Sequence, residues 1–377
     1  MKIKDFGVEI WMNLYENNCK YNLAETCVDS LHVNELLDLT DNKDEIVDNI
    51  LKMQLNYGDI EGSKRLKNGV KSLFKTIDID QITITHGASG ANALAMFALV
   101  EPGDEIISVL PTYQQHYSIP EAYGATVKIL DLKPEDNFLP DLDALKKLTS
   151  DKTKLICINN PNNPTGALIN EDLLKEIVEI AKSCNAYILS DEAYRGLNHE
   201  GNGFTTSIVD LYDKGISSGS VSKTFSLAGL RIGWLVGNED FIELVNRRRD
   251  YTIISCAKID DYLASIALEH KDQIIERNHK IVRRNIEILN DWVINEPKIS
   301  YIKPKSGTTA FLKYDLDINS ETFCIKLLEE KGVMLVPGKA LDMEGYLRIG
   351  YAFDPKALKI GLSKISEFLH SYGANNA

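Results

Sequence analysis

From residue 82 the chain alternates short apolar runs with longer stretches of helical periodicity. The runs fall at 82–85, 105–109, 126–130, 155–158 and 186–189, and Ile, Val and Leu dominate them. Between them, 90–100 and 170–183 carry a helical pattern. This β–α alternation predicts a mostly parallel sheet covered by helices on both faces, an α/β class fold. A further run at 232–236 follows the turn around Lys223 too closely for a helical crossover, so it is expected to lie antiparallel in the same sheet. Residues 5–20 read as a helix through Phe6, Ile10, Met12, Leu14 and Tyr15. Beyond about 245 the pattern turns helical, with candidates at 260–269 and 273–295. Residues 299–370 then read as strand–helix–strand–helix, with strands near 309–312, 333–336 and 346–349. The expected organisation is a large domain, 45–275, and a smaller α+β domain formed by 1–44 with 276–377.

Bulk properties narrow the function without naming it. With 377 residues, 44% hydrophobic and 26% charged, the composition is that of an ordinary globular protein. The formal net charge of −13 argues against nucleic acid or an anionic membrane as the main partner. The six cysteines are widely spaced and form no C-x-x-C pair, which fits reduced thiols better than a disulfide framework or a zinc site. The longest apolar run, 93–100, is far too short to span a bilayer, and the N-terminus lacks the apolar core of a signal peptide. A cytoplasmic location is expected.

The chemistry collects at the predicted strand ends, where ligands of open α/β sheets bind. Strand 82–85 ends in His86-Gly87-Ala88-Ser89-Gly90-Ala91-Asn92 before an apolar helix. Small residues at a helix N-terminus let backbone N–H groups approach an anion, although such a turn is often only a turn. Strand 105–109 leads to Tyr113, which can stack on a planar ring or pack on the core. Strand 155–158 ends in Asn159-Asn160-Pro161-Asn162-Asn163-Pro164-Thr165-Gly166, a sharp turn that presents Asn163 as a donor to a phenolate-type oxygen. Strand 186–190 ends in Asp191-Glu192-Ala193-Tyr194. An aspartate there needs a cation, either a protonated pyridine nitrogen or a buried salt-bridge partner. Finally, Ser220-Val221-Ser222-Lys223 is followed eight positions on by Arg231. A buried lysine amine suits Schiff-base formation, and the hydroxyls with the guanidinium suit a phosphate. Together these groups match the needs of pyridoxal 5′-phosphate.

Asn163-Pro164-Thr165-Gly166, Ser190-Asp191-Glu192-Ala193-Tyr194, Ser220-Val221-Ser222-Lys223 with Arg231, and Tyr346-Leu347-Arg348-Ile349-Gly350 resemble the motifs of class I/II aminotransferases, fold type I pyridoxal-phosphate enzymes. The similarity runs from about residue 55 to the C-terminus. The resemblance implies a seven-stranded, mostly parallel sheet between helices and a smaller α+β domain. It implies that Lys223 forms the internal aldimine and shuttles a proton, and that Asp191 keeps the pyridine nitrogen protonated. Tyr194 and Asn163 would contact the ring oxygen and Tyr113 would stack on the ring. Ser89, Gly90, Ser220, Ser222 and Arg231 would hold the phosphate, and Arg348, with Asn163, would bind the substrate carboxylate. Tyr57 would reach the phosphate of a neighbouring subunit, implying a homodimer with shared active sites. The substrates implied are an amino acid and a 2-oxo acid, with no metal.

Two segments depart from the family pattern. Where many relatives carry Gly-x-Pro, this chain reads Asn22 to Leu31, with Glu25 and Asp29. A cationic, arginine-like substrate read by Glu25, with Glu16 or Asp29, is one expectation; helix capping near 31–38 is the other. Asp260 and Asp261 stand where relatives often carry an amide residue. The N-terminal helix and loop also resemble the capreomycidine synthase-like, arginine-oxidising branch, so a lyase, cyclase or oxidase on the same cofactor is the alternative reaction class. A non-catalytic regulator of this fold is disfavoured, because no basic patch is present and Lys223 and Asp191 are intact.

Overall fold

The computed structural model describes residues 2–375. Seven strands form one sheet: β1 (Ile82–His86), β2 (Glu105–Leu110), β3 (Thr126–Asp131), β4 (Thr153–Asn159), β5 (Tyr187–Asp191), β6 (Gly215–Ser220) and β7 (Ile232–Val236). Their order across the sheet is β1-β7-β6-β5-β4-β2-β3. All neighbours are parallel except that β7 runs antiparallel to both β1 and β6. The expected antiparallel run is therefore present, and it lies inside the sheet.

Both faces of this sheet are covered, which explains its continuous apolar runs. Ile106, Leu155, Cys157, Leu189, Ile216 and Leu235 join one buried layer with the helices Gly87–Leu99 and Glu239–Arg249. The alternate residues Ile107, Ile156, Ile158 and Ile188 belong to the other layer. The helix Glu171–Ser183 shows the usual logic on that side. Asn170 accepts a hydrogen bond from Leu173 N at 2.9 Å and opens it. Leu174, Ile177, Val178 and Ala181 then bury one stripe.

β6 reads Gly-Ile-Ser-Ser-Gly-Ser, yet every residue in it is buried. Its small side chains answer the neighbouring strand. Gly219 pairs with Trp234 across the ladder, and a Cβ there would lie 2.5 Å from the indole.

The C-terminal part carries a second, antiparallel sheet in the order Val336–Pro337, Tyr346–Gly350, Thr309–Tyr314, Ile299–Tyr301. The predicted strand 333–336 is split. Val333–Met334 pairs in parallel with Tyr21–Asn22, while Val336–Pro337 joins the second sheet. The break falls at Leu335, whose carbonyl accepts the indole N–H of Trp11 at 2.8 Å. Trp11 belongs to the helix Gly7–Tyr15, which is shorter than the predicted 5–20; a 3-10 turn, Glu16–Asn18, follows it. At its other end Gly7 N donates to Gln114 Oε1 at 2.9 Å. These two anchors lay the helix across the carboxyl end of the seven-stranded sheet.

Gly350 ends its strand against the loop after Tyr21–Asn22, donating to Leu23 O at 2.8 Å. A Cβ at Gly350 would sit 1.7 Å from the carbonyl oxygen of Glu25. The oxygen belongs to backbone, so the clash is not relieved by a rotamer change. Gly350→Ala is expected to cost roughly 1–3 kcal/mol of stability by overpacking. Gly229→Ala, whose Cβ would meet nothing within 4 Å, should change it by less than about 0.5 kcal/mol. Urea unfolding of the two variants beside the parent checks this; equal midpoints would contradict it.

Candidate active site

The parallel strands all end on one edge of the sheet, and β7 begins there. The order across that edge arranges the polar residues. Ser89 follows β1, Arg231 precedes β7, and Ser220, Ser222 and Lys223 end β6. Asp191 and Tyr194 follow at β5, Asn159 and Asn163 at β4, and Tyr113 after β2. The helix Gly7–Tyr15, the loop at Glu25 and Arg348 from the second sheet close over them. Together they line a cleft of about 530 Å³.

Lys223 reaches the N-terminal loop, donating from Nζ to Thr26 Oγ1 at 2.6 Å and Cys27 Sγ at 3.2 Å. Burial pushes its amine down, but the acidic groups of Tyr194, Cys27 and Glu25 packed around it, with the hydrogen bond to Cys27, hold it above the usual lysine range. Burial keeps the Tyr194 phenol and the Cys27 thiol neutral by raising both. Glu25 is therefore the anion that faces Lys223 at neutral pH. Burial alone would raise the Glu25 carboxyl; Lys223 and the amides of Cys27 and Thr26 hold it below the usual range.

Asp191 is buried, and no Lys or Arg lies within 4 Å of it among the described residues. Its carboxylate accepts from Asn92 Nδ2 at 2.8 Å and Ala193 N at 3.0 Å. Asn92 is itself fixed by Ser218 Oγ, which donates to its Oδ1 at 2.6 Å. The fully buried His116 places Nε2 3.6 Å from Asp191 and finds no hydrogen-bond partner for it. A buried carboxylate held by neutral donors is costly without a cation.

Arg231 occupies a left-handed backbone conformation, φ 53°, at the turn into β7. Its guanidinium donates to Ala228 O at 3.0 Å and has no carboxylate partner among the described residues. Gly87 faces it with φ +68°, and a Cβ there would lie 2.8 Å from Arg231 Nη2. Glycine thus lets the start of the helix Gly87–Leu99 approach the guanidinium. Ser89, Ser220 and Ser222 line the same end, which makes a cradle for a phosphate.

Arg348 is buried at the opposite side. It donates to Ala24 O at 3.2 Å and, at 3.4 Å, to Asn163 Oδ1, and its Nε has no partner. Burial lowers its pKa, and no carboxylate lies within 4 Å of it among the described residues. Tyr113 donates to Glu9 Oε1 at 3.2 Å, with the Phe6 ring 4.9 Å away.

Eleven predicted residues therefore meet in one cleft: Glu25, Ser89, Tyr113, Asn163, Asp191, Tyr194, Ser220, Ser222, Lys223, Arg231 and Arg348. Two do not. Gly90 lies inside the helix Gly87–Leu99 beyond the lining residue Ser89, and Tyr57 is 74% exposed and outside the cleft. Asp29 also lies apart, 3.7 Å from Arg277. Neither Glu25 nor Asp29 caps the helix Val33–Leu37; Glu35 accepts from His32 N at 2.7 Å instead. Glu25 Oε1 accepts from its own turn, Thr26 N at 2.7 Å and Cys27 N at 2.8 Å. Asp261 is structural, accepting from Ser63 N at 3.0 Å. Glu16, weighed beside Glu25, does line the cleft, whereas Asn92, His116 and Glu9 were missed. The signal for Asn92 was a polar residue on the buried face of an otherwise apolar helix.

The residues fit pyridoxal 5′-phosphate. Asp191 lacks the cation that a protonated pyridine supplies, Arg231 lacks the anion that a phosphate supplies, and Lys223 offers an amine between them.

Comparison with known proteins agrees. The sequence is 33% identical to capreomycidine synthase from Streptomyces vinaceus over 82% of this chain and 80% of that one. It is 31% identical to aspartate aminotransferase from Thermotoga maritima over 87% of each. A PLP-dependent aminotransferase from Streptococcus suis 89-1591 superposes with a TM-score of 0.96 at 44% identity, covering 99% of both chains. The model of the family "Aminotransferase class I and II" matches residues 9–365, and the chain belongs to that family of pyridoxal-phosphate-dependent, fold type I enzymes.

Proposed function

We propose that this protein is an aminotransferase that moves the amino group of an L-amino acid to a 2-oxo acid. The observation that carries the reading is the shared cleft. A lysine amine, a buried carboxylate without a basic partner and a guanidinium without an acidic one line up along one sheet edge. Bound there, pyridoxal phosphate supplies an aldehyde that condenses with amines and a ring that takes up the electron pair released at the substrate α-carbon.

The chain's own groups do the rest. Asp191, held by Asn92 and Ala193 N, stabilises positive charge on the ring nitrogen. Tyr194 and Asn163 would donate to the ring oxygen, and Tyr113 would pack on the ring. Ser89, Ser220, Ser222 and Arg231 hold the phosphate. Arg348 binds the substrate carboxylate through its unpartnered edge. Lys223 Nζ takes the α-proton and returns it one position away, which is the net movement that transamination needs.

The assembly we propose is a homodimer. Leu51, Leu55, Tyr57 and Tyr251 are 80%, 78%, 74% and 83% exposed, a density of apolar surface that favours a second copy. Gly58 lies against Cys256 and Lys258, so the Tyr57 loop borders the segment that carries Tyr251. In such a dimer Tyr57 would serve the partner's phosphate site. We keep the division into 45–275 and 1–44 with 276–377; it is supported by the pairing of Tyr21–Asn22 with Val333–Met334.

A second reaction remains open: cyclisation, elimination or oxidation of a cationic amino acid on the same cofactor. The similarity to capreomycidine synthase favours it. Product analysis separates the readings, because transamination yields a 2-oxo acid and an amino acid in equal amounts, without ammonia or peroxide.

Lys223→Ala is expected to retain pyridoxal phosphate non-covalently and to lose turnover by several orders of magnitude. Normal turnover in that variant would overturn the role of Lys223. Arg231→Gln should weaken cofactor binding by about tenfold or more through loss of a bidentate, charge-assisted contact. Fluorescence titration of the apo-protein measures this, and an unchanged dissociation constant would remove Arg231 from the phosphate site.

A further inference from the structure

Three carboxylates line the side of the cleft away from the phosphate cradle: Glu9, Glu16 and Glu25. None has a Lys, Arg or His within 4 Å among the described residues. Glu25 is engaged, because its Oε1 accepts from two amides of its own turn. Among the described residues Glu9 accepts only from the Tyr113 hydroxyl at 3.2 Å, and neither it nor Glu16 is tied to the amides of its own turn as Glu25 is. Glu9 and Glu16 are seven residues apart, with Met12 between them, so the helix Gly7–Tyr15 and the turn that follows it present all three to the cleft. Gly7 anchors that helix at its start and Trp11 at its middle. Burial, with the like charges of Glu25 and Glu9, raises the Glu16 carboxyl above its ordinary range. Such crowding of like charge disfavours the empty arrangement and favours a bound cation.

The second observation lies in the same cleft. Arg348 is 3% exposed, and its Nε lacks a partner. A ligand that satisfies both groups has a carboxylate at one end and a positive charge at the other. We infer that Glu9 and Glu16 determine specificity in this cleft, and that its preferred substrate is an amino acid whose side chain carries an amine or guanidinium. The inference rests on the cleft being the amino-acid site proposed above. It keeps Glu16, which the sequence had set beside Glu25, adds Glu9, and gives Glu25, whose Oε1 is turned to its own loop, no part.

The test uses ligands that lack the α-amino group, so that it reads binding and not turnover. Calorimetry on the full-length, cofactor-loaded protein compares δ-guanidinovalerate and ε-aminocaproate with heptanoate. Wild type is expected to bind at least one of the cationic acids about tenfold or more tighter than heptanoate. Glu9→Gln and Glu16→Gln should each shrink that ratio several-fold, and the double variant should bring it near one. Equal affinity for cationic and neutral acids in wild type would overturn the inference. So would a preference that survives the double substitution. Whether amino acids convert the cofactor to its amine form is measured separately. A cationic preference without such conversion by any amino acid would overturn transamination and leave the specificity assignment standing.

Discussion

The site depends on charges that the chain buries without pairing them. Asp191 is 5% exposed and is met by an asparagine, a backbone amide and a histidine nitrogen, none of them a permanent cation. Arg348 is 3% exposed and is met by carbonyl-type oxygens only. Taking an isolated ion out of water costs several kcal/mol even after relaxation. A fold that keeps two such groups at one edge stores the demand for a ligand of matching charge. In the proposed function Asp191 would be met by the protonated ring of pyridoxal phosphate, and Arg348 by a substrate carboxylate.

Sheet topology makes that arrangement possible. Six strands of one direction bring their carboxyl ends to one edge, and the antiparallel β7 inserts its start among them. Arg231 therefore stands beside the glycine-rich helix start after β1, far from its own neighbours in the parallel order. β6 can carry serines through the core because Trp234 and Asn92 occupy the space that larger side chains would need. Two of those serines are satisfied by functional residues or their neighbours: Ser218 donates to Asn92, and Ser217 to the buried Glu192. The polar strand, the asparagine and the catalytic-edge aspartate form one hydrogen-bonded chain.

Much of this was legible in the sequence. The apolar runs marked six of the seven strands of the large sheet within a residue or two, while β6, Gly-Ile-Ser-Ser-Gly-Ser, has no apolar run to mark it. Lys223, Asp191, Asn163 and Arg231 stood out as polar residues at strand ends. What escaped depended on contacts between distant segments. The break in 333–336 falls where the Trp11 indole bonds Leu335 O and the chain passes from one sheet to another. Asn92 and His116 carried no motif, since their importance comes only from lying against Asp191. Glu25, picked out as an acidic residue in an unexpected loop, does line the cleft, and what the sequence could not show is that its Oε1 accepts from the next two amides. Glu9 lies on a surface helix whose periodicity cannot say which part of the molecule it will cover.

Cofactor and substrate recognition are thus written in different parts of the chain. On the proposed reading the sheet edge holds the cofactor, and the N-terminal helix, anchored by Trp11, lines the substrate side of the cleft. The most direct test of the whole account is reductive trapping. The purified protein is loaded with pyridoxal phosphate, reduced with borohydride and digested, and the peptides are weighed by mass spectrometry. The account predicts one phosphopyridoxyl group per chain, on the peptide that contains Lys223. A label on another lysine, or none at all, would contradict it.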